Sequence, residues 1–186
     1  GSVMVNQAET RVIDPEFSFY GPMGFDTGAL FANYFLAYFS QAGHAQQAGD
    51  RDAYQKWLLQ TAIDTWATFE ARFRELWHGE RTGILFPRSL FEDQDDAMGS
   101  EQALTRTLRS LFVDTVGFAG TKMIRRLVGL AHVEDMETIE DPDRRARCEA
   151  NALAMGRELL VSRHQFSSIG QLCDLARSIK NRGVTL

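Results

Sequence analysis

Residues 27–41 read TGALFANYFLAYFSQ, and this stretch decides the class of fold. Its large apolar side chains recur every three or four residues, the spacing of one face of an α-helix. They are Leu30, Phe31, Tyr34, Phe35, Tyr38 and Phe39. Asp26 is a suitable N-cap for this helix, and Gly43 is a suitable stop. So much aromatic surface on one helix predicts deep burial in a mainly helical domain.

A second long helix is predicted over about residues 51–78, with Asp50 as its cap. The apolar stripe of this helix consists of Tyr54, Leu58, Ala62, Trp66, Phe69, Phe73 and Trp77. Residues 79–99 contain glycine, proline and the acidic run EDQDD, which together predict a loop.

Ser100 can cap a third helix that continues toward Leu130. Gly117 and Gly120 interrupt its pattern, and either a kink or a close approach of another helix would explain them.

Two shorter helices complete the predicted fold. Asp141 followed by Pro142 is a strong helix start, because proline is favoured in the first turn; this helix runs to about Ser162. Ser167 can cap a last helix that ends near Gly183.

The N-terminus is predicted to form a small β-hairpin. Val3–Val5 and residues 10–13 are β-prone, and the polar residues 6–9 between them form the turn. Pro15 ends the second strand because it cannot donate to a ladder. An isolated hairpin is only marginally stable, so it should lie against the helices or pair with strands that this chain does not contain.

Composition excludes several function classes. The chain has 186 residues, of which 44% are hydrophobic and 24% charged, enough for one domain or a part of a larger one. The formal net charge of -5 argues against a broad nucleic-acid surface and against a polybasic membrane patch. No apolar run is long enough to span a membrane, and no basic-then-apolar signal opens the chain.

The cysteines and histidines suggest no metal site. Cys148 and Cys173 lie far apart in sequence, which suits free thiols in a reducing, cytoplasmic compartment. The four histidines show no metal-ligand spacing and are expected at the surface or at helix ends. They are His44, His78, His132 and His164.

Asp14 and Glu16 flank the proline that follows the hairpin. In an extended segment, residues two apart point the same way, so both carboxylates could bind one hard cation such as Mg²⁺. A turn with two solvated acids has the same spacing, and the spacing alone leaves both interpretations open.

Two longer motifs carry a resemblance to a known family. IDPEF at 13–17 is followed by FYGPMGFD at 19–26 and a long helix, and GFAGTKMIRRLVGLAHV occupies 117–133. This order resembles the segment after the catalytic loop in protein-kinase-like small-molecule kinases, and is most similar to the 5-methylthioribose kinase family. The tail, with RELL at 157–160 and SSIGQLCDLA at 167–176, resembles that family as well.

The resemblance implies a helical C-terminal lobe of a protein-kinase-like fold. It implies ATP with Mg²⁺ held by Asp14 and Glu16, and phosphorylation of the C1 hydroxyl of 5-methylthioribose in methionine salvage. Arg125 and Arg126 match the twin arginine on the substrate side, although one of them could instead make a structural salt bridge.

Two neighbouring residues carry alternative interpretations. Asp26 matches the acid that braces the catalytic loop, a structural role near the site that is compatible with a simple N-cap. Lys122 is expected to be a solvated helix residue rather than a phosphate ligand.

The same resemblance shows what residues 1–186 lack. No HGD sequence occurs, so no catalytic residue is assigned in this chain and the catalytic aspartate is expected upstream of Gly1. The nucleotide-binding N-terminal lobe is also absent. Residues 1–186 are therefore expected to be the C-terminal lobe of a partial protein, inactive alone, and to form a homodimer or self-associate through surface left uncovered.

Two alternatives remain open at this stage. One is a related kinase of another small alcohol, and the other is a non-catalytic helical interaction module.

Overall fold

The computed structural model describes residues 3–13, 19–79, 81 and 83–183. Within them, a two-stranded hairpin precedes six α-helices, so the predicted mainly α fold with one N-terminal hairpin is confirmed. The strands are β1 (Val3–Val5) and β2 (Thr10–Val12). The helices are α1 (Gly24–His44), α2 (Asp52–Gly79), α3 (Ala97–Val128), α4 (Glu134–Glu137), α5 (Pro142–Val161) and α6 (Ile169–Arg182).

The core forms around α1, which packs against α3 and α5. Its predicted stripe is largely confirmed, with Phe31, Phe35 and Phe39 almost fully buried, whereas Leu30 is 36% exposed. The partners on the other helices include Phe112, Val116 and Met123 of α3, and Ala152, Met155 and Leu159 of α5. These apolar faces hold the helices at fixed positions, because packed interiors have few voids.

Two helices start at positions other than the predicted ones. α1 begins at Gly24 after Met23, so Asp26 lies in the first turn and the N-cap prediction was wrong. α3 begins one turn before Ser100, because the Asp96 carboxylate accepts a hydrogen bond from the Gly99 amide. Ser100 therefore lies inside α3, where the amides that follow it are bonded within the helix and need no side-chain cap.

The other termini follow the predictions closely. The Asp141 carboxylate accepts hydrogen bonds from two backbone amides at the start of α5, as predicted. Ser168, rather than Ser167, caps α6 by accepting a hydrogen bond from the Gln171 amide. Gly183 ends α6 with φ of 64°, a conformation that suits glycine.

The loop after α2 carries a buried polar cluster, which the composition of this segment did not predict. Ser100 accepts hydrogen bonds from Trp77 and Arg81, both at 3.1 Å, and donates one to Glu92 at 2.9 Å. Arg81 also pairs with Glu92 and lies over the Trp77 ring. Burial alone would raise the pKa of Glu92, but hydrogen bonds from its own amide and Ser100, with the Arg81 charge, lower it below 4.5.

Glycines let α3 and α5 approach closely, and α3 continues through both of its predicted interruptions. A Cβ on Gly120 would lie 2.6 Å from the Gly156 carbonyl oxygen and 2.8 Å from the Leu160 amide nitrogen. Close helix approach, one of the two predicted explanations, therefore accounts for Gly120.

The hairpin is confirmed in register, with Val3 opposite Val12 and Val5 opposite Thr10. The described side chains from Met4 to Ile13 are exposed. The first expected arrangement, with the hairpin packed against the helices, is therefore not found, and pairing with strands outside this chain stays a prediction. The apolar surface of Met4, Val5 and Val12 faces outward instead.

Both cysteines are free, as predicted, and both are buried. Burial raises the pKa of the Cys148 thiol and raises that of Cys173 to about 11. None of the described helices combines the length and apolar character needed to cross a membrane.

Candidate substrate-binding site

The N-terminal turn of α1 is pressed onto the middle of α3. A Cβ on Gly24 would lie 2.7 Å from the Thr115 amide nitrogen, and one on Gly28 would lie 2.7 Å from the Thr115 carbonyl oxygen. The hydroxyl oxygens of Thr27 and Thr115 are 2.6 Å apart, a hydrogen bond across the same contact. This packing brings the first turn of α1 next to the C-terminal half of α3.

Three phenylalanines line this junction. The ring centroid of Phe25 lies 5.5 Å from that of Phe19 and 5.4 Å from that of Phe118, both in edge-to-face geometry. The ammonium of Lys122 lies 4.9 Å from the Phe25 centroid, within the range of a cation–π interaction. Lys122 is partly exposed on α3, so it is less solvated than expected.

Positive charge gathers at the last turns of α3. Burial lowers the pKa of Lys122, and the neighbouring charges of Arg125 and Arg126 lower it further. The Asp26 carboxylate acts in the opposite direction, so it is close enough to interact with this ammonium. The arrangement can attract an anion or bind the oxygens of a polar ligand.

The structure distinguishes the two predicted arginines. Arg126 donates hydrogen bonds to the carbonyls of Ala131 and His132, at 3.2 and 3.4 Å. It therefore anchors the loop that follows α3. The Arg125 side chain is exposed and has no hydrogen bond or ion pair with any described residue, which leaves its donors available to a ligand.

A small cavity of about 190 Å³ lies beside this cluster, between α3 and α5. Its lining consists of Asp114, Gly117, Phe118, Thr121, Leu160 and Arg163. A wider groove of about 520 Å³ continues from it and shares Asp114 and Arg163. The sequence analysis missed these two charged residues, because Asp114 on α3 and Arg163 in the turn after α5 are distant in sequence.

The predicted metal ligands Asp14 and Glu16 lie outside the described residues. In the described part of the chain, no group of three or more histidine, cysteine, aspartate or glutamate side chains could hold a metal ion. Asp26 is exposed in the first turn of α1, within electrostatic range of Lys122.

Comparisons with known proteins give a consistent result. Methylthioribose kinase 1 of Oryza sativa subsp. japonica is 49% identical over 174 residues, which is 92% of this chain and 40% of the relative. Methylthioribose kinase 2 of the same organism is 49% identical over 92% of this chain and 40% of its own length. Methylthioribose kinase of Escherichia coli O45:K1 is 38% identical over 95% of this chain and 42% of its own length.

These matches confirm the resemblance that the motifs indicated. The chain spans about two fifths of the length of the curated relatives it matches. No protein-family model matches the chain.

Proposed function

We propose that the intact protein containing this chain is an ATP-dependent, cytoplasmic kinase of methionine salvage that phosphorylates the C1 hydroxyl of 5-methylthioribose. Residues 1–186 supply its helical C-terminal lobe. The observation that carries the proposal is the 49% identity with a methylthioribose kinase across 92% of this chain. The mainly helical fold supports it.

Arg125 is proposed to bind substrate oxygens. Its guanidinium has a rigid fork of donors, always carries charge, and has no partner among the described residues. Arg126 is proposed to act through the loop that it holds, because its donors already bind the carbonyls of Ala131 and His132. This division keeps both arginines in the site but gives them different tasks.

Asp14 and Glu16 are proposed to hold the Mg²⁺ of the bound nucleotide. Carboxylate oxygens are the ligands that this hard cation prefers, so the donor set fits the ion. When bound, Mg²⁺ neutralises charge that develops on the transferring phosphoryl group. The catalytic aspartate implied by the family resemblance is assigned outside residues 1–186.

The test is the activity of the intact protein. ATP-dependent phosphorylation is measured on 5-methylthioribose, with choline and an aminoglycoside as competing alcohols. We expect 5-methylthioribose to be strongly preferred. Preference for another alcohol would reject the proposed substrate, and no transfer to any alcohol would favour the non-catalytic module.

The metal assignment has its own test in the same protein. Asp14→Asn and Glu16→Gln keep side-chain size but remove charge, so both should impair catalysis and raise the Mg²⁺ concentration needed for half-maximal rate. Lys56→Gln, at an exposed position on α2, is the matched control and should leave that Mg²⁺ concentration unchanged. Parental Mg²⁺ dependence in both acidic-site variants would reject the assignment.

The exposed hairpin surface supports a second proposal about association. Met4, Val5 and Val12, together with Phe19 and Tyr20, present apolar side chains to solvent. Such a surface and its unpaired strand edges promote association. We expect residues 1–186 expressed alone to self-associate in sedimentation velocity and to lack kinase activity; a strictly monomeric species would contradict the association.

A further inference from the structure

Lys122 differs from the other two lysines of the chain. Lys56 is exposed, and Lys180 donates hydrogen bonds to Asp52 and Gln55. The Lys122 ammonium lies over the Phe25 ring, and no described residue accepts a hydrogen bond from it. An ammonium has three donors, so a partly buried one leaves hydrogen-bonding capacity for a ligand.

The charges around Lys122 favour an anion. Arg125 lies three residues further along α3, so both side chains project from the same side of the helix. Arg126 adds a third positive charge, Asp26 of α1 acts on Lys122 in the opposite direction, and Asp114 lines the adjoining cavity. The partial burial that lowers the pKa of Lys122 also strengthens its interaction with an opposite charge.

The adjoining surface suits a small ligand with an apolar side. Phe25 and Phe118 form an apolar wall next to Lys122, and Phe118 also lines the cavity of about 190 Å³. A ligand with one phosphate group and a compact body could contact both surfaces together. A nucleic acid would need a broader basic face than this acidic chain provides.

We propose that Lys122 and Arg125 together bind the phosphate group of a phosphate monoester. Lys122 contributes a compact point charge, and Arg125 contributes a fork that matches two phosphate oxygens. Identifying this monoester as the sugar-phosphate product rests on the proposed function. The phosphate binding itself requires no kinase activity, because it depends on residues described here.

The small number of lysines makes the proposal directly measurable. Labelling lysine with ¹³C at Cε gives three side-chain NMR signals, which single Lys→Arg variants assign. Residues 1–186 are titrated with ribose 5-phosphate, with ribose as the neutral control and ATP as the nucleotide arm. We expect the Lys122 signal to shift with ribose 5-phosphate and not with ribose, while the Lys56 and Lys180 signals stay unchanged.

A pH titration gives an independent readout. A bound phosphate favours the charged ammonium, so ribose 5-phosphate should raise the pKa of Lys122 back toward its ordinary value of 10.5. Asp26, Arg125 and Arg126 remain in place during this measurement, so the change reports the added anion.

Matched arginine variants complete the test. Arg125→Gln should weaken the ribose 5-phosphate response about tenfold by removing a charge-assisted contact. Arg106→Gln, on the same helix and lining the wider groove, should leave the response unchanged. Far-UV circular dichroism confirms that each variant is folded.

The outcomes separate this proposal from the proposed function. No Lys122 response, equal responses at all three lysines, or an unchanged response in Arg125→Gln would overturn the phosphate site. A response to ATP but not to ribose 5-phosphate would overturn the sugar-phosphate assignment. Any of these results could occur in a protein whose intact form still phosphorylates 5-methylthioribose.

Discussion

Replacing Gly120 with alanine should separate α3 from α5. The added Cβ would lie 2.6 Å from the Gly156 carbonyl oxygen and 2.8 Å from the Leu160 amide nitrogen. Both atoms belong to the backbone of α5, which cannot rotate away. Gly117→Ala is the matched control, because its Cβ would meet the Arg163 side chain at 3.0 Å, and that side chain can move.

The magnitude follows from two opposing effects. Alanine in place of glycine in a helix interior stabilises by roughly 0.5–1 kcal/mol. Overpacking costs about 1–3 kcal/mol, and a backbone obstacle places Gly120 at the upper end of that range. The net expectation for Gly120→Ala is a loss of about 2 kcal/mol, whereas Gly117→Ala should be neutral or stabilising by up to about 1 kcal/mol.

Urea and thermal unfolding followed by far-UV circular dichroism measure both variants. A loss of about 2 kcal/mol lowers Tm by roughly 4–8 °C in a domain of this size. If Gly120→Ala were as stable as Gly117→Ala, the helix separation would not be set by the absent side chain. The close-approach explanation of this glycine would then be wrong.

Three further predictions concern buried groups and the twin arginine. Glu92→Gln should lower the free energy of unfolding at neutral pH, as measured by urea unfolding. Because the folded-state pKa of Glu92 is lowered, the difference in this free energy between variant and parent should shrink as the pH falls below about 4.5. Cys148 and Cys173 should resist a thiol reagent in the native chain and react after denaturation, since burial raises both pKa values; fast native labelling would contradict their burial. In thermal unfolding, Arg126→Gln should lower the free energy of unfolding by about 1 kcal/mol through lost hydrogen bonds, whereas Arg125→Gln should change it by less than about 0.5 kcal/mol. Equal losses in the two variants would refute the different roles proposed for the two arginines.

The helices could be predicted because their signals are local. A stripe such as Phe31, Phe35 and Phe39 has helical spacing in the sequence and a common buried face in the structure. The position of a cap is less certain, because several residues nearby can compete for it. Asp96 caps α3, and this leaves the Ser100 hydroxyl to join the buried cluster with Arg81 and Glu92.

The site was predictable only in part. The family motif marks Arg125 and Arg126 as candidates, and the different roles proposed for them rest on the loop carbonyls that follow α3. The contact of Lys122 with Phe25 joins two helices that are distant in sequence, so no local pattern indicates it. Asp14 and Glu16 lie outside the described residues, and their metal role remains a prediction.

The packing of α1 on α3 has a consequence for how the chain folds during synthesis. The aromatic face of α1, with Phe31 and Phe35, shares one core cluster with Phe112 and Val116 of α3, which emerge from the ribosome much later. At about 5–20 residues per second, the 81 residues between Phe31 and Phe112 correspond to a delay of about 4–16 s. During that interval the most hydrophobic helix of the chain lacks its native partner. We therefore expect a nascent chain stopped before α3 to bind chaperones more strongly than one that extends past it.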